Sequence, residues 1–481
     1  MTNAFLVWSR NLDKNVFYNR SSPFSIGNIM GKSVVLLLVL ILAASSIVTF
    51  LPVKAQARTI AVPDDYPTVS SAIQNAGVGD TVFVKRGTYQ EEVININKSI
   101  SLIGEDIKET ILSLNPPLVE TWILYNLLWV PDTAIRINAN DVKIQGFTIN
   151  LPNDEYGVGS GIHAVGDGIS FTDNIVANRS VYMRGSMLNI TGNSIPSALE
   201  VVGSNLTIAN NTIKNTLKIQ GSSNLISTNK ITGGYYSHGI YLNGSFNCVV
   251  GNSFFSMEID DCNSNAIIGN SFATLELKEF GKGGCSDNIV YKNRVSGNLG
   301  INDGIWLWEG KNNIISANSI RNCENGLLLG TTGKTAVENS VYLNNFENNT
   351  NHVRSLSGSN HTVNHFDNGV KGNYYDDYQG NDANWDGVGD SPYTIQETRW
   401  EEELKNDVTI VFFQDNYPLM APFDIDGFSV ELPEWASSSS IFPEPEKSDP
   451  FPLVPVAAAF GIVALVGVGL LVYFKKRKHN A

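Results

Sequence analysis

An asparagine followed two residues later by a hydrophobic residue recurs nine times, at Asn174, Asn193, Asn211, Asn229, Asn252, Asn270, Asn293, Asn318 and Asn344, in steps of 18 to 26 residues. A fixed local pattern at a loosely variable period of this size marks a solenoid whose length differences are absorbed in loops. The segments between the asparagines are short and alternating, as in Gly239–Gly244 and Gly304–Glu309, the pattern of half-buried strands. Gly and Asn punctuate each run and supply the left-handed backbone that sharp turns need. No stretch between residues 80 and 430 carries a long apolar pattern of helical period. Stacked coils lie about 4.8 Å apart, so in-phase amides can bond to one another along the axis. The expected fold is all-β, a right-handed single-stranded parallel β-helix of about a dozen coils.

The stretch Thr59–Glu105 differs from the repeats. Val62-Pro63-Asp64-Asp65-Tyr66-Pro67-Thr68 leads into Val69–Ala76, a short amphipathic run that reads as a helix, followed by Gly79–Val84 and Ser99–Gly104. An open β-helix end exposes strand edges and core, and a helix laid across it covers both. This stretch resembles the opening of pectin-lyase-like β-helix proteins. The tail, with Gly372–Tyr378, Asp382–Tyr393 and Asp415–Leu419, resembles the NosD family and related archaeal surface proteins.

The expected organisation has five parts. Residues 1–57 are an N-terminal extension and signal peptide, with the apolar segment 33–51, a basic start at Met30-Gly31-Lys32 and a small-x-small site ending at Ala57. Met30 as the true start, and an uncleaved anchor helix, are the open alternatives. Residues 58–425 are the β-helix domain, with an N-terminal cap and first coils at 58–105 and a C-terminal cap at 372–425. A Pro-, Ser- and Glu-rich stalk occupies 426–452. Residues 453–474 are apolar and uncharged, about 33 Å as a helix and long enough to span a bilayer. The basic segment 475–481 begins Lys475-Lys476-Arg477-Lys478 and would stay cytoplasmic. The localisation expected is therefore a single-pass cell-membrane protein with its β-helix outside. Eight Asn-x-Ser/Thr sequons fall in the exported part, at Asn97, Asn178, Asn189, Asn205, Asn210, Asn243, Asn348 and Asn360, and glycosylation is expected at some of them. The net charge of −14 argues against nucleic acid as a partner.

Four cysteines are present, at 248, 262, 285 and 323. Cys262 and Cys285 each stand eight residues before a repeat asparagine, so they stack on adjacent coils, within reach of a disulfide. Two buried thiols are the alternative. Nothing has the spacing of zinc ligands.

Alternation along the strands predicts two outward columns. One runs His163, Tyr182, Glu200, Lys218, Tyr241, Glu258, Glu276, Trp306, Leu328; the other Val165, Arg184, Val202, Gln220, Asn243, Asp260, Lys278, Trp308, Gly330. Tyr241, Asn243, Glu258, Asp260, Glu276, Trp306 and Trp308 make a candidate carbohydrate-binding surface, since flat aromatics beside carboxylates and amides suit sugar rings. Glu258 and Glu276 on adjacent coils are expected to repel, raising one pKa, so Glu258, Asp260 and Glu276 are the candidates for catalysis. Covered tryptophans and ordinary surface acids are the alternative. Ser237-His238-Gly239-Ile240 and Ile259-Asp260-Asp261-Cys262 resemble polygalacturonase fragments, but in reversed order, and that family's other acidic motif is missing. No match to the catalytic sets of pectate lyases or pectin methylesterases is present.

Asp382, Asn384, Asp386, Val388 and Asp390 have the spacing of a calcium loop, with Gly387 at the turn and Tyr393 where a full EF-hand carries Glu. Ca2+ is the cofactor this loop would take, and a plain Asp/Gly turn is the alternative. The NosD resemblance implies copper delivery for nitrous-oxide reductase. Against it, the chain has six His and six Met, without Met-rich or Cys-x-x-Cys elements. The function expected is a cell-surface binding or structural module with affinity for surface glycans or polysaccharide. A polysaccharide lyase or glycoside hydrolase, and a NosD-like accessory for maturation of an extracytoplasmic metalloenzyme, are the alternatives.

Overall fold

The computed structural model describes residues 57–427, apart from short segments at 124–125, 154–159, 234–238, 261, 279–284, 300–301, 332–335, 357–363 and 402–405. The expected signal segment, the stalk beyond residue 427, the transmembrane segment and the basic tail lie outside the described residues. Among the described residues no helix is long and apolar enough to cross a membrane.

Three faces of parallel strands run the length of the domain. One sheet has 13 strands, a second has 12, and the third consists of a seven-stranded and a five-stranded piece. Ser253 bridges Lys230 on one side and Ser271 on the other, joining the two pieces of the third face. Consecutive strands of the chain fall on successive faces, so each circuit adds one strand to each sheet. This is a parallel β-helix, and the pairing fits the right-handed form that crossover chirality favours. Ile, Leu and Val fill the interior, with Ile144, Phe171, Ile190, Ile208, Ile226, Val249, Ile267, Val290, Ile315 and Val341 stacked along one sheet.

The turns are built on buried asparagines. In the predicted row, from Asn193 onward, each side-chain oxygen accepts both the backbone and the side-chain N–H of the asparagine one coil before. Asn252 Oδ1 takes Asn229 N at 2.8 Å and Nδ2 at 3.0 Å, while Asn252 Nδ2 donates to Asn270 Oδ1 at 3.0 Å and to Ile226 O at 2.8 Å. The row extends one step beyond the nine copies, to Asn373, whose Oδ1 accepts from Asn344. A second row was not anticipated. Asn224, Asn247, Asn265, Asn288, Asn313, Asn339 and Asn364 repeat the same exchange. The residue before most ladder asparagines is left-handed, and several of these are neither Gly nor Asn: Thr228 (φ 53°), Lys292 (φ 56°), Ala317 (φ 54°) and Leu343 (φ 59°). Such a conformation costs an L-residue about 1 kcal/mol. The expectation that Gly and Asn themselves supply the left-handed turns therefore holds only in part, because the amide that follows holds the corner.

Both ends are closed. The helix α1, Val69–Asn75, is capped by Thr68 and buries Val69, Ala72 and Ile73 over the first coil. Glu91 Oε1 accepts the N–H groups of Val69 and Ser70 at its start. At the far end Asp415 replaces the next asparagine of the first row. Its Oδ2 accepts Asn373 N at 2.7 Å and Nδ2 at 3.3 Å, and its Oδ1 accepts Tyr417 N at 3.0 Å. Cys262 and Cys285 are joined by a disulfide with Cα atoms 4.6 Å apart, whereas Cys248 and Cys323 are buried and free.

Two outcomes follow from the ladder. Asn252→Ala strips four hydrogen bonds from buried groups and is expected to cost about 3 kcal/mol in urea unfolding, against less than about 0.5 kcal/mol for the exposed Asn215→Ala. Burial pushes the Asp415 carboxyl up to about 7, against the lowering effect of the N–H groups it accepts. Its folded pKa thus lies above the unfolded value of ~3.9. The stability it contributes is complete below about pH 4 and is lost as pH rises through about 7, on the order of 4 kcal/mol in all. Urea midpoints across this window should slope in the native chain and flatten in Asp415→Asn.

Candidate functional site

The four strands Ile240–Asn243, Ser256–Asp260, Thr274–Lys278 and Asp303–Leu307 lie side by side in one sheet. Their register places Tyr241, Glu258, Glu276 and Trp306 in one row across neighbouring coils, and Asn243, Asp260 and Lys278 in a second. Trp308 follows its strand and donates its backbone N–H to Leu277 O at 3.0 Å, so it sits beside the second row. Upstream, the first row continues unbroken through Lys218, Glu200, Tyr182 and His163.

The predicted neighbours are thus together, but their environment differs from the expectation in two respects. Glu258 and Glu276 do not face each other alone. Lys278 Nζ lies 3.1 Å from Glu258 Oε2 and 2.7 Å from Glu276 Oε2, an ammonium bridging two carboxylates. The repulsion between the two carboxylates is offset by this charge. Burial alone would lower the Lys278 pKa, but the hydrogen bonds and charges of Glu276 and Glu258 outweigh it and hold the ammonium above its ordinary value. Asp260, only 4% exposed, accepts a short hydrogen bond from the Tyr241 hydroxyl.

The tryptophans also differ from the expectation, being half-buried rather than fully exposed. Their ring centroids are 4.7 Å apart with planes tilted by 36°. Trp306 Nε1 donates to Gly330 O at 3.0 Å, and Lys278 Nζ lies 4.9 Å from the Trp308 ring centroid. Lys278 is therefore the hub of the patch, touching both acids and one aromatic face. Alternation marks Lys278 as an outward residue, but its role depends on three separate coils being stacked.

The remaining candidates lie elsewhere. Ser237, His238 and Asp261 are outside the described residues. In the tail loop the carboxylates of Asp382, Asp386 and Asp390 accept backbone N–H groups of the loop itself, from Asp386, Gly387, Val388 and Ala383. Asn384 Nδ2 donates to Asp386 Oδ2 at 2.9 Å, and Val388 bridges to Leu419. Copper, implied by the resemblance, does not find a soft site here. Among the described residues Met183 and Met257 are core, Met187 and Met420 lie at the surface, and the free Cys248 and Cys323 thiols are pushed up to about 11 by burial. A Cu(I) site wants converging sulfur, and this donor set does not fit one. His352 instead faces the carboxylates of Asp376 and Asp377.

Removing the hub leaves the buried Glu258 and the partly buried Glu276 without their cation. Lys278→Met is expected to destabilise the domain by about 3 kcal/mol, whereas Lys218→Met, at the exposed pair with Glu200, should change urea midpoints by less than about 1 kcal/mol.

No curated protein matches the chain in sequence. Among solved structures the chain is similar to a PL6 alginate lyase in complex with a trisaccharide, at 11% identity over 65% of this chain and 85% of that one, TM-score 0.43. It is also similar to the A-module of the Azotobacter vinelandii mannuronan C-5 epimerase AlgE6, at 11% identity over 62% and 91%, TM-score 0.45. A third is the catalytic domain of a GH87 α-1,3-glucanase in complex with nigerose, at 13% identity over 66% and 69%, TM-score 0.40. The family model described as "Periplasmic copper-binding protein (NosD)" matches residues 259–380, from the strand of Asp260 to the Gly372–Tyr378 segment of the tail.

Proposed function

We propose that the chain is an exported, membrane-tethered β-helix that binds polysaccharide on the sheet carrying Tyr241, Asn243, Glu258, Asp260, Glu276, Trp306 and Trp308. The observation that carries this reading is the Trp306–Trp308 pair, two tilted indoles 4.7 Å apart beside a row of polar side chains. Aromatic faces next to hydrogen-bonding groups suit the apolar face and hydroxyls of a sugar. A second aromatic step, the stacked His163 and Tyr182 rings at 4.9 Å, stands on the same row. It borders a cavity of about 350 Å³. Two aromatic platforms on one row favour an elongated glycan lying along the solenoid axis. Two Glu and one Asp against one Lys favour neutral sugars over polyanions.

Binding is favoured over cleavage because Glu258 and Glu276 are tied to Lys278 and Asp260 to Tyr241. The tether rests on the apolar segment 453–474 followed by basic residues. Weak Ca2+ binding by the 382–390 loop, pinning the C-terminal cap, belongs to the same reading and rests on donor spacing. A NosD-like accessory role is the second reading, favoured by the family match over residues 259–380.

A glycan array probed with the full chain and with Trp306→Ala/Trp308→Ala tests this. Binding to neutral polysaccharide that weakens at least ~10-fold in the variant, about 1.4 kcal/mol, is the expected result. Equal binding by both proteins, or none by the native chain, would overturn the reading and turn attention to protein partners.

A further inference from the structure

Residues that flank each inward side chain of the 13-stranded sheet point away from the core. Over most of the sheet the first outward row is polar: Ser101, Lys143, Ser170, Asn189 and Thr207 on the upstream coils, and Ser340 on the last. Between them the same row reads Leu225, Cys248, Ala266, Ile289 and Ile314. Val250, Ile268 and Tyr291 stand beside them in the second outward row. Together these side chains form an apolar cluster separate from the core. Although they point outward, Cys248 is 3% exposed, Ala266 0%, Ile289 4% and Tyr291 5%, whereas Leu225 and Ile314 at the two ends are half-buried. Soluble surfaces rarely leave a contiguous apolar patch open to water. The middle of this one lies under a cover.

The C-terminal segment forms one edge of that cover. Leu419 bridges Tyr374 on the last coil of the third face. One coil back, Phe423 N donates to Asn345 Oδ1 at 2.7 Å and Phe423 O accepts Asn345 Nδ2 at 2.9 Å. Two coils further back, Arg294 Nη2 donates to both oxygens of Asp426, at 2.7 and 2.9 Å. The chain thus retraces three coils along the corner between the third face and the 13-stranded sheet. Phe423 packs onto the apolar cluster. Phe423 and Ile425 are half-buried while Asp424 and Asp426 are exposed, so one side of the segment is pressed to the solenoid. Asp424 Oδ1 then accepts the N–H groups of Asp426 and Gly427, a turn at the end of the described segment.

The residues that follow, Phe428-Ser429-Val430-Glu431-Leu432, alternate apolar and polar, the pattern of a strand with one side against a surface. Five extended residues reach about 16 Å, and the three coil steps from Ile289 to Leu225 measure about 14 Å. We propose that residues 428–432 run upstream over the outer face of the 13-stranded sheet and seat Phe428, Val430 and Leu432 on the stretch from Ile289 to Leu225. The chain from Pro433 onward then departs from the flank of the solenoid and not from its C-terminal cap. The aromatic row lies on the 12-stranded sheet, a different face, and stays clear of this segment. The docking shares no residue with the sugar-binding reading; only its consequence for the tether rests on the membrane-tethered reading.

Cys248 in the stretch and Cys323 in the core are both free thiols, so the native chain carries its own probe and its own control. Maleimide labelling, read at each cysteine by mass spectrometry, compares the full chain with Phe428→Ser/Val430→Ser/Leu432→Ser. Thiol reactivity follows exposure, and Cys248 is expected to label at least ~10-fold faster in the variant while Cys323 stays protected. Equal labelling of Cys248 in both proteins would overturn the proposal and assign the cover to another segment. Where both thiols open together, cross-linking decides. Phe428→Cys, Val430→Cys and Leu432→Cys are each oxidised mildly in the full chain, and at least one is expected to join Cys248 within a single chain, as Cα atoms within about 7 Å allow. Links only between two copies, or none at any of the three positions, would overturn it.

Discussion

Two rows of buried amides hold this protein in register. Most corners built on these asparagines hold a residue in the left-handed region, and they leave buried backbone groups that need partners. An asparagine at the next position answers both problems, because its oxygen takes the N–H groups of the coil before and its nitrogen reaches carbonyls and the coil after. Buried polar groups are costly unless paired. The pairing is mutual along the row, so each coil depends on its neighbours, as expected of a quasi-one-dimensional stack. The ends are where such a stack is weakest. Here α1 covers one end, and Asp415 terminates the first amide row at the other with a carboxylate that accepts but does not propagate.

A rigid ladder of this kind turns sequence spacing into surface geometry. Residues one coil apart become neighbours across a sheet, with side chains at the spacing of adjacent strands. That is how Glu258 and Glu276 come to share one ammonium, and how Lys278 comes to lie over Trp308. The patch is largely satisfied within itself, which favours a surface that recognises over one that transfers protons. The His352 cluster is likewise satisfied, its imidazole held between an oriented amide and two carboxylates that have outer contacts of their own.

Much of the fold was legible because the repeat asparagine is both frequent and invariant in its place within the coil. The outward columns from His163 to Leu328 followed from alternation alone, and the register reproduces them. The second amide row was equally present in the residues, five positions before the first row at Asn224, Asn247, Asn265, Asn288, Asn313 and Asn339. It was obscured by the many other asparagines in the turns. The left-handed residue was harder to find, since Thr228, Lys292 and Leu343 carry no compositional sign of that conformation. Neighbouring contacts impose it against local preference.

The sequence by itself determined the β-helix, the stacking of Cys262 on Cys285 and the membership of the aromatic row, because each depends on period and parity. The tertiary structure decided which charges meet. Lys278 rather than solvent separates the two glutamates, and His352 turns to Asp376 and Asp377. Period and parity specify the coil and face on which a residue lies. They do not specify the rotamer of a long side chain or the path of an inserted loop, and these set the distances between charges.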